Sequence, residues 1–261
     1  MIDKILVPID FSVSSEYANE VAVSLARLFG ADIIYYFIEE DKPNEIDIQQ
    51  RVSNFTSKFD TTGLQVEKVF KKGVFVTSTV DYIHEQKIDL VVIGSHGMSG
   101  VNDLFLGSNT LKLMRKTPCP LIVVKERNQN FALNKIVFTS NFDNSNFGPF
   151  RTLIKLLQPF NAEIHLLNVD TPGFFKDGNT IMQPAIESFK SYAEENGFTC
   201  TTHRRTSRLV ENGIHEFVKD VKPDLIVIPT SSKSALQRLF VSSVAEAVVM
   251  HADIPVMTMK L

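Results

Sequence analysis

The chain repeats itself, and the repeat restricts what it can fold into. Lys135-Ile136-Val137-Phe138-Thr139-Ser140-Asn141-Phe142 follows Lys4-Ile5-Leu6-Val7-Pro8-Ile9-Asp10-Phe11 at an offset of 131. Asp224-Leu225-Ile226-Val227-Ile228 follows Asp89-Leu90-Val91-Val92-Ile93 at an offset of 135. From there to Lys260 the copies run without a gap, so that Leu104-Phe105 meets Leu239-Phe240, Ser108 meets Ser243 and Pro120 meets Pro255. A polar linker lies around Glu126 to Asn134. Two domains of ordinary size are predicted, over residues 1–127 and 134–261.

Within the first copy, apolar runs alternate with helical patterns. Lys4–Asp10, Ile33–Ile38, Leu90–Ile93 and Leu121–Val124 read as buried strands, and Leu64–Phe70 alternates as a strand nearer an edge. Ala18, Val21, Ala22, Leu25 and Leu28 recur at helical spacing, and Gly30 should stop that helix. Asn44–Asp60, Gly73–Lys87 and Asn109–Lys116 read as further helices. In the second copy, Ala162–Asp170 reads as a strand and Pro184–Asn196 as a helix. Strand–helix alternation on this scale predicts an α/β protein, with a five-stranded doubly wound parallel sheet flanked by helices in each domain. Ligands in such folds sit at the carboxyl ends of the strands, where the sheet reverses direction. Sequence alone does not choose between strand orders such as 2-1-3-4-5 and 3-2-1-4-5.

Gly94-Ser-His-Gly-Met-Ser-Gly-Val-Asn-Asp-Leu-Phe-Leu-Gly-Ser108 joins a buried strand to a short helix. Strand, glycine loop and helix start together form a local design for binding phosphate. Glycine admits an anion to the backbone, and the free N–H groups of the helix start point at it. Ser108 can cap the helix or donate to a phosphate oxygen. The loop lacks a Walker lysine and the dinucleotide spacing, so backbone amides must carry the contact. Turn glycines that bind nothing remain the alternative.

That spacing, Gly94-x2-Gly97-x9-Gly107-Ser108, resembles the ATP-binding signature of the universal stress protein family. The opening Lys4–Asp10 and Pro118-Cys119-Pro120 before the last strand of the first copy resemble the family too. The resemblance to a tandem universal stress protein covers essentially the whole chain. In the second copy it rests on fold pattern alone, because Pro229, Ser232 and Ser242 replace the three glycines and Asn141 replaces Asp10. It implies the adenine nucleotide alpha hydrolase-like fold with strand order 3-2-1-4-5, and one competent ATP site per chain. Asp10 and Ile38 would hold ribose and adenine, with Pro8 and Ile9 lining the base pocket. Gly94, His96, Gly97, Gly107, Ser108 and Asn109 would surround the phosphates, and Mg²⁺ would accompany the nucleotide. It further implies a role in stress response through protein partners not named by the sequence. Val256–Met259 would pair with Leu121–Val124 as an internal imitation of a family dimer, with a further homodimer possible. A ligand-free scaffold and a slow ATP-hydrolysing enzyme are the competing readings.

The residues also bound these readings. Asp10 could serve only to cap the following helix, Ile38 could be plain core, and His96 is no evident catalytic base. Ser-rich Pro229–Ser234 could still hold an anion. The basic run Thr202–Arg208 is either a solvated strand face or a grip for an anionic partner. Phe174-Phe175 either packs on its own domain or serves as a lid or docking point. His84, His165, His203, His215 and His251 show no ligand spacing, so no metal site is expected. Cys119 and Cys200 match no redox or metal motif and predict buried thiols in a reducing compartment. A net charge of −3 argues against nucleic-acid or anionic-membrane binding. With a strand pattern from residue 4 and no long apolar run, the cytoplasm is the expected location.

Overall fold

The apolar runs become strands because helices cover both faces of a parallel sheet and leave no solvated side. The computed structural model describes residues 2–39, 45–96, 106–172, 179–230 and 235–260. They divide into two units, Met1–Phe131 and Ala132–Leu261. The first unit runs β1 (Lys4–Pro8), α1 (Val13–Phe29), β2 (Asp32–Glu39), α2 (Glu45–Thr56), β3 (Val66–Lys72), α3 (Phe75–Gln86), β4 (Leu90–Gly94), α4 (Ser108–Lys116) and β5 (Leu121–Val124). The second runs β6 (Lys135–Thr139), α5 (Phe147–Leu157), β7 (Glu163–Asp170), α6 (Asn179–Glu195), β8 (Thr199–Thr206), α7 (Val210–Val221), β9 (Leu225–Pro229), α8 (Ala235–His251) and β10 (Val256–Met259).

Each unit orders its own strands 3-2-1-4-5, as β3-β2-β1-β4-β5 and β8-β7-β6-β9-β10. The register sets Ile5 opposite Ile33 on one side and Leu90 on the other. The chain therefore leaves β1 towards one flank and returns to the other at β4, opening a crevice at their carboxyl ends. Gly30 ends α1 as expected, at φ 68° with its N–H on the Ala26 carbonyl.

Three boundaries differ from the sequence reading. α2 stops at Thr56, short of Asp60, whose carboxylate accepts the Thr62 N–H in a turn. α6 begins at Asn179 and carries Pro184 inside it, where the pattern suggested a start at the proline. α8 begins at Ala235, although the ungapped match to the first copy would start it near Ser243.

Phe11 and Phe142, equivalent residues after β1 and β6, sit at φ 65° and 55°. Bulky residues rarely adopt this left-handed region. Because both units share the strain, it belongs to the strand-to-helix turn rather than to ligand binding in one of them. Aromatic contacts hold each ring: Phe11 stacks on Phe37 at 5.6 Å beneath the Arg51 guanidinium at 4.3 Å, and Phe142 meets Phe189 at 5.1 Å.

Phe189 also meets Phe138, Phe147 and Phe150, with ring centroids 5.0–6.2 Å apart. It is 2% exposed, and phenylalanine fills the core here. Phe189→Ala should destabilise the second unit by about 3–5 kcal/mol. Urea unfolding monitored on that unit's amides checks this, and the first unit's midpoint should stay unchanged.

Candidate functional site

At the carboxyl ends of β1, β2 and β4 the first unit opens a cleft of about 240 Å³. Pro8, Ile9 and Asp10 line it from β1 and the turn that follows, and Ile38 from β2. Gly94 and His96 line it from β4 and its loop, and Gly107, Ser108 and Asn109 from the start of α4. Nine of the ten residues singled out in the sequence are thus brought together. The tenth, Gly97, lies outside the described residues. Ser15, Phe75, Ile93 and Thr110 also line the cleft and were not anticipated. Phe75 had a signal: it opens the helix after β3, and helices of this fold begin at the sheet end where the crevice lies.

A chain of hydroxyls ties the two walls together. Asp10 accepts from the Ser12 N–H at 3.0 Å and the Ser12 hydroxyl at 2.6 Å. Ser12 in turn is the N-cap of α1 and accepts the Ser15 N–H. Asp10 therefore does not cap the helix itself; it orients the residue that does. One carboxylate oxygen carries both bonds, and Asp10 is exposed in the cleft wall. Ser14 donates to the His96 carbonyl and accepts the His96 N–H at 3.3 Å. The His96 Nδ1 lies 2.6 Å from the Ser95 hydroxyl, while its Nε2 is buried with no hydrogen-bond partner among the described residues.

The glycine loop is pinned at both ends. Ser95 donates its N–H to Val124, and its carbonyl accepts the Gly107 N–H at 2.8 Å. Thr110 donates its hydroxyl to the Gly94 carbonyl at 2.9 Å. Gly107, not Ser108, is the N-cap of α4, and no side chain caps the helix. The first intrahelical bond joins the Leu111 N–H to the Gly107 carbonyl. The N–H groups of Ser108, Asn109 and Thr110 therefore have no acceptor among the described residues. His96 contributes no free backbone donor, because Ser14 already holds its amide.

Gly94 proves to be glycine for a reason the sequence did not suggest. A Cβ there would lie 2.6 Å from the backbone carbon, carbonyl oxygen and hydroxyl of Ser14. The first turn of α1, rather than a ligand, occupies the space. The second unit, with Pro229 at this position, opens its helix differently: a 3₁₀ turn, Asn144–Asn146, precedes α5. There Asn141 takes the place of Asp10 and bonds Asn146 at 2.6 Å and Asp143 at 3.1 Å, closing the polar groups on one another.

The second unit has no helix start at the equivalent place. α8 runs unbroken through the position of Gly107, so the Ser243 amide lies within a helix rather than at its start. Ser231–Ser234 and the Phe174-Phe175 pair lie outside the described residues. The basic run of β8 is met by carboxylates, Arg204 by Asp170 and Arg205 by Asp220 at 2.7 Å, as a solvated strand face would be. Burial pushes both thiols, Cys119 and Cys200, up to about 12, which makes them poor nucleophiles. Among the described residues no group of three His, Cys, Asp or Glu side chains could hold a metal ion, and no helix is long and apolar enough to cross a membrane.

Comparison with known proteins follows the same division. The universal stress protein family matches the chain twice, over residues 1–125 and 134–260. Universal stress protein YxiE of Bacillus subtilis is 28% identical over 149 residues, covering 48% of this chain and all of that one. A universal stress protein of Archaeoglobus fulgidus, solved by crystallography, superposes over the whole chain and 97% of its own with a TM-score of 0.73 at 16% identity, a likeness of fold.

The close approach at Gly94 yields a test. Gly94→Ala should cost about 1–3 kcal/mol by overpacking, read as a lower urea midpoint for the first unit. Adding Ser14→Ala should not restore it, because two of the three opposing atoms are backbone.

Proposed function

The chain belongs to the universal stress protein family, and from that premise we propose that its first unit binds an adenine nucleotide, ATP foremost, while its second binds none. The observation that carries this reading is the uncapped start of α4. Three N–H groups without an acceptor among the described residues, reinforced by the helix dipole, lie at a cleft whose far end is apolar. From Gly94 on β4 across β1 to Ile38 on β2 is two strand spacings, about 10 Å, the separation of a base from its phosphates. Phosphate would lie at Ser108 and Asn109. Ribose hydroxyls would donate to the Asp10 oxygen that Ser12 leaves free, and the base would lie among Pro8, Ile9, Ile38 and Phe75.

The donor set is neutral and fits phosphate oxygens rather than a bare cation. A divalent ion such as Mg²⁺ would therefore take its ligands from the phosphates and from water. No lysine lies in the Gly94–Ser108 loop, and among the described residues no paired carboxylates line the cleft. The reading is accordingly a nucleotide-responsive regulatory protein, with hydrolysis slow at most and the second unit a ligand-free surface for partners.

The test is thermal unfolding with and without nucleotide. ATP at about 100 times Kd adds about 2.7 kcal/mol to the unit that binds it, a rise in Tm on the order of 10 °C. Gly107→Val should abolish the rise while lowering the ligand-free Tm only slightly, since φ −57° and ψ 139° at that position suit valine although it is a poorer N-cap than glycine. Calorimetric titration should give one site per chain. No response to any nucleotide, or two sites per chain, would overturn the reading.

A further inference from the structure

All four histidines of the second unit gather in two pairs around α7. On its sheet side, His165 Nδ1 lies 3.0 Å from His203 Nε2, and the Thr201 hydroxyl lies 3.0 and 2.9 Å from the same two atoms. Both rings pack on Phe217 of α7, at 6.2 and 4.7 Å. On the other side, His215 of α7 lies 5.8 Å from the ring of His251 on α8. The His215 Nε2 is buried without a partner among the described residues.

The first unit shows what the same places hold otherwise. His165 corresponds to Ile34 by the offset of the first strands. Thr201 faces His165 as Glu67 faces Ile34, so His203 corresponds to Val69. α3 and α7 begin at Phe75 and Val210, so His215 corresponds to Val80. Three positions around this helix that are aliphatic in the first unit are imidazoles in the second.

We propose that α7 is an acid-released helix, held on its sheet by neutral imidazoles at ordinary pH and let go as they gain protons. The hydrogen-bond geometry sets the requirement. A nitrogen that carries a proton can only donate and one without can only accept, so His165 and His203 satisfy each other only while at least one nitrogen of the contact is bare. Two imidazolium rings at this distance repel. Burial comes first among the effects that push His165, His203 and His215 below the usual histidine range.

The charged surroundings act in both directions. Against protonation stand Lys135 of β6 for His165, Arg205 of β8 for His203, and Lys219 of α7 with His251 for His215. In its favour stand Glu163 of β7, 3.2 Å from the His165 Nε2, and Asp253 after α8. Asp220 of α7 is engaged by Arg205. The sign follows: groups that titrate lower folded than unfolded contribute full stability above about pH 6.5 and lose it as pH falls through their folded values.

Hydrogen exchange on the full chain, corrected for intrinsic rate, tests this with the first unit as internal reference. Between pH 7.5 and 5.5, α7 amides should lose at least about tenfold in protection, while α3 amides hold. Reverting to the first unit's residues, His165→Ile with His203→Val and His215→Val, should remove the difference. Equal loss in α3 and α7, or a loss that survives the reversion, overturns the proposal. Should the triple variant fold poorly, the wild-type imidazole titration decides: midpoints below about 6.5 for all three rings support it, and midpoints at or above that value overturn it.

Discussion

The cleft of the first unit depends on one contact, the seating of the first turn of α1 on Gly94 at the end of β4. Hydrogen alone fits between the β4 backbone and Ser14. That closeness lets Ser14 clasp both polar atoms of the His96 peptide and brings the Asp10–Ser12 turn beside the glycine loop. The His96 peptide, the cap and the carboxylate are thereby fixed relative to one another. Preorganisation of this kind reduces the ordering cost that binding must otherwise overcome. The site's donors are backbone amides whose directions are set by α4, so little side-chain entropy is lost in using them.

The two copies show how a fold and a site come apart. Both keep the strand order, the αL phenylalanine after the first strand and the αL lysine after the third helix, Lys87 and Lys222. What distinguishes them is local: one glycine at a point of close approach, and the place where a helix starts. In the second unit the polar groups of Asn141, Asp143 and Asn146 satisfy each other, whereas at the equivalent place the first unit leaves three amides and an imidazole nitrogen without a partner among the described residues. A buried polar atom without a partner is costly, and the His96 Nε2 at this cleft is one that has no counterpart in the Asn141 turn of the second unit.

Much of this was legible in the residues. Apolar runs with capping and stop signals located the strands and α1, because those elements are dictated by local periodicity. Of the ten residues that the family resemblance implied, nine line one cleft. The limits of the reading were physical. Sequence spacing could not show that Gly94 is small for the sake of Ser14, since that contact joins residues 80 positions apart. Nor could it place the start of α8, because Ala, Leu, Gln and Arg at 235–238 favour helix as strongly as the first copy's glycines oppose it. The histidines were read one by one along the chain, where they show no interval, and only the sheet register brings them together.

The unbroken course of α8 has a consequence for substitution. Glycine in the middle of a helix costs only about 1 kcal/mol, far too little to end one 17 residues long. Placing glycine at Pro229, Ser232 and Ser242 one at a time would thus leave the two extra turns of α8 in place. The start of α8 is therefore held by several residues at once, and no one of those replacements moves it to the place where α4 begins.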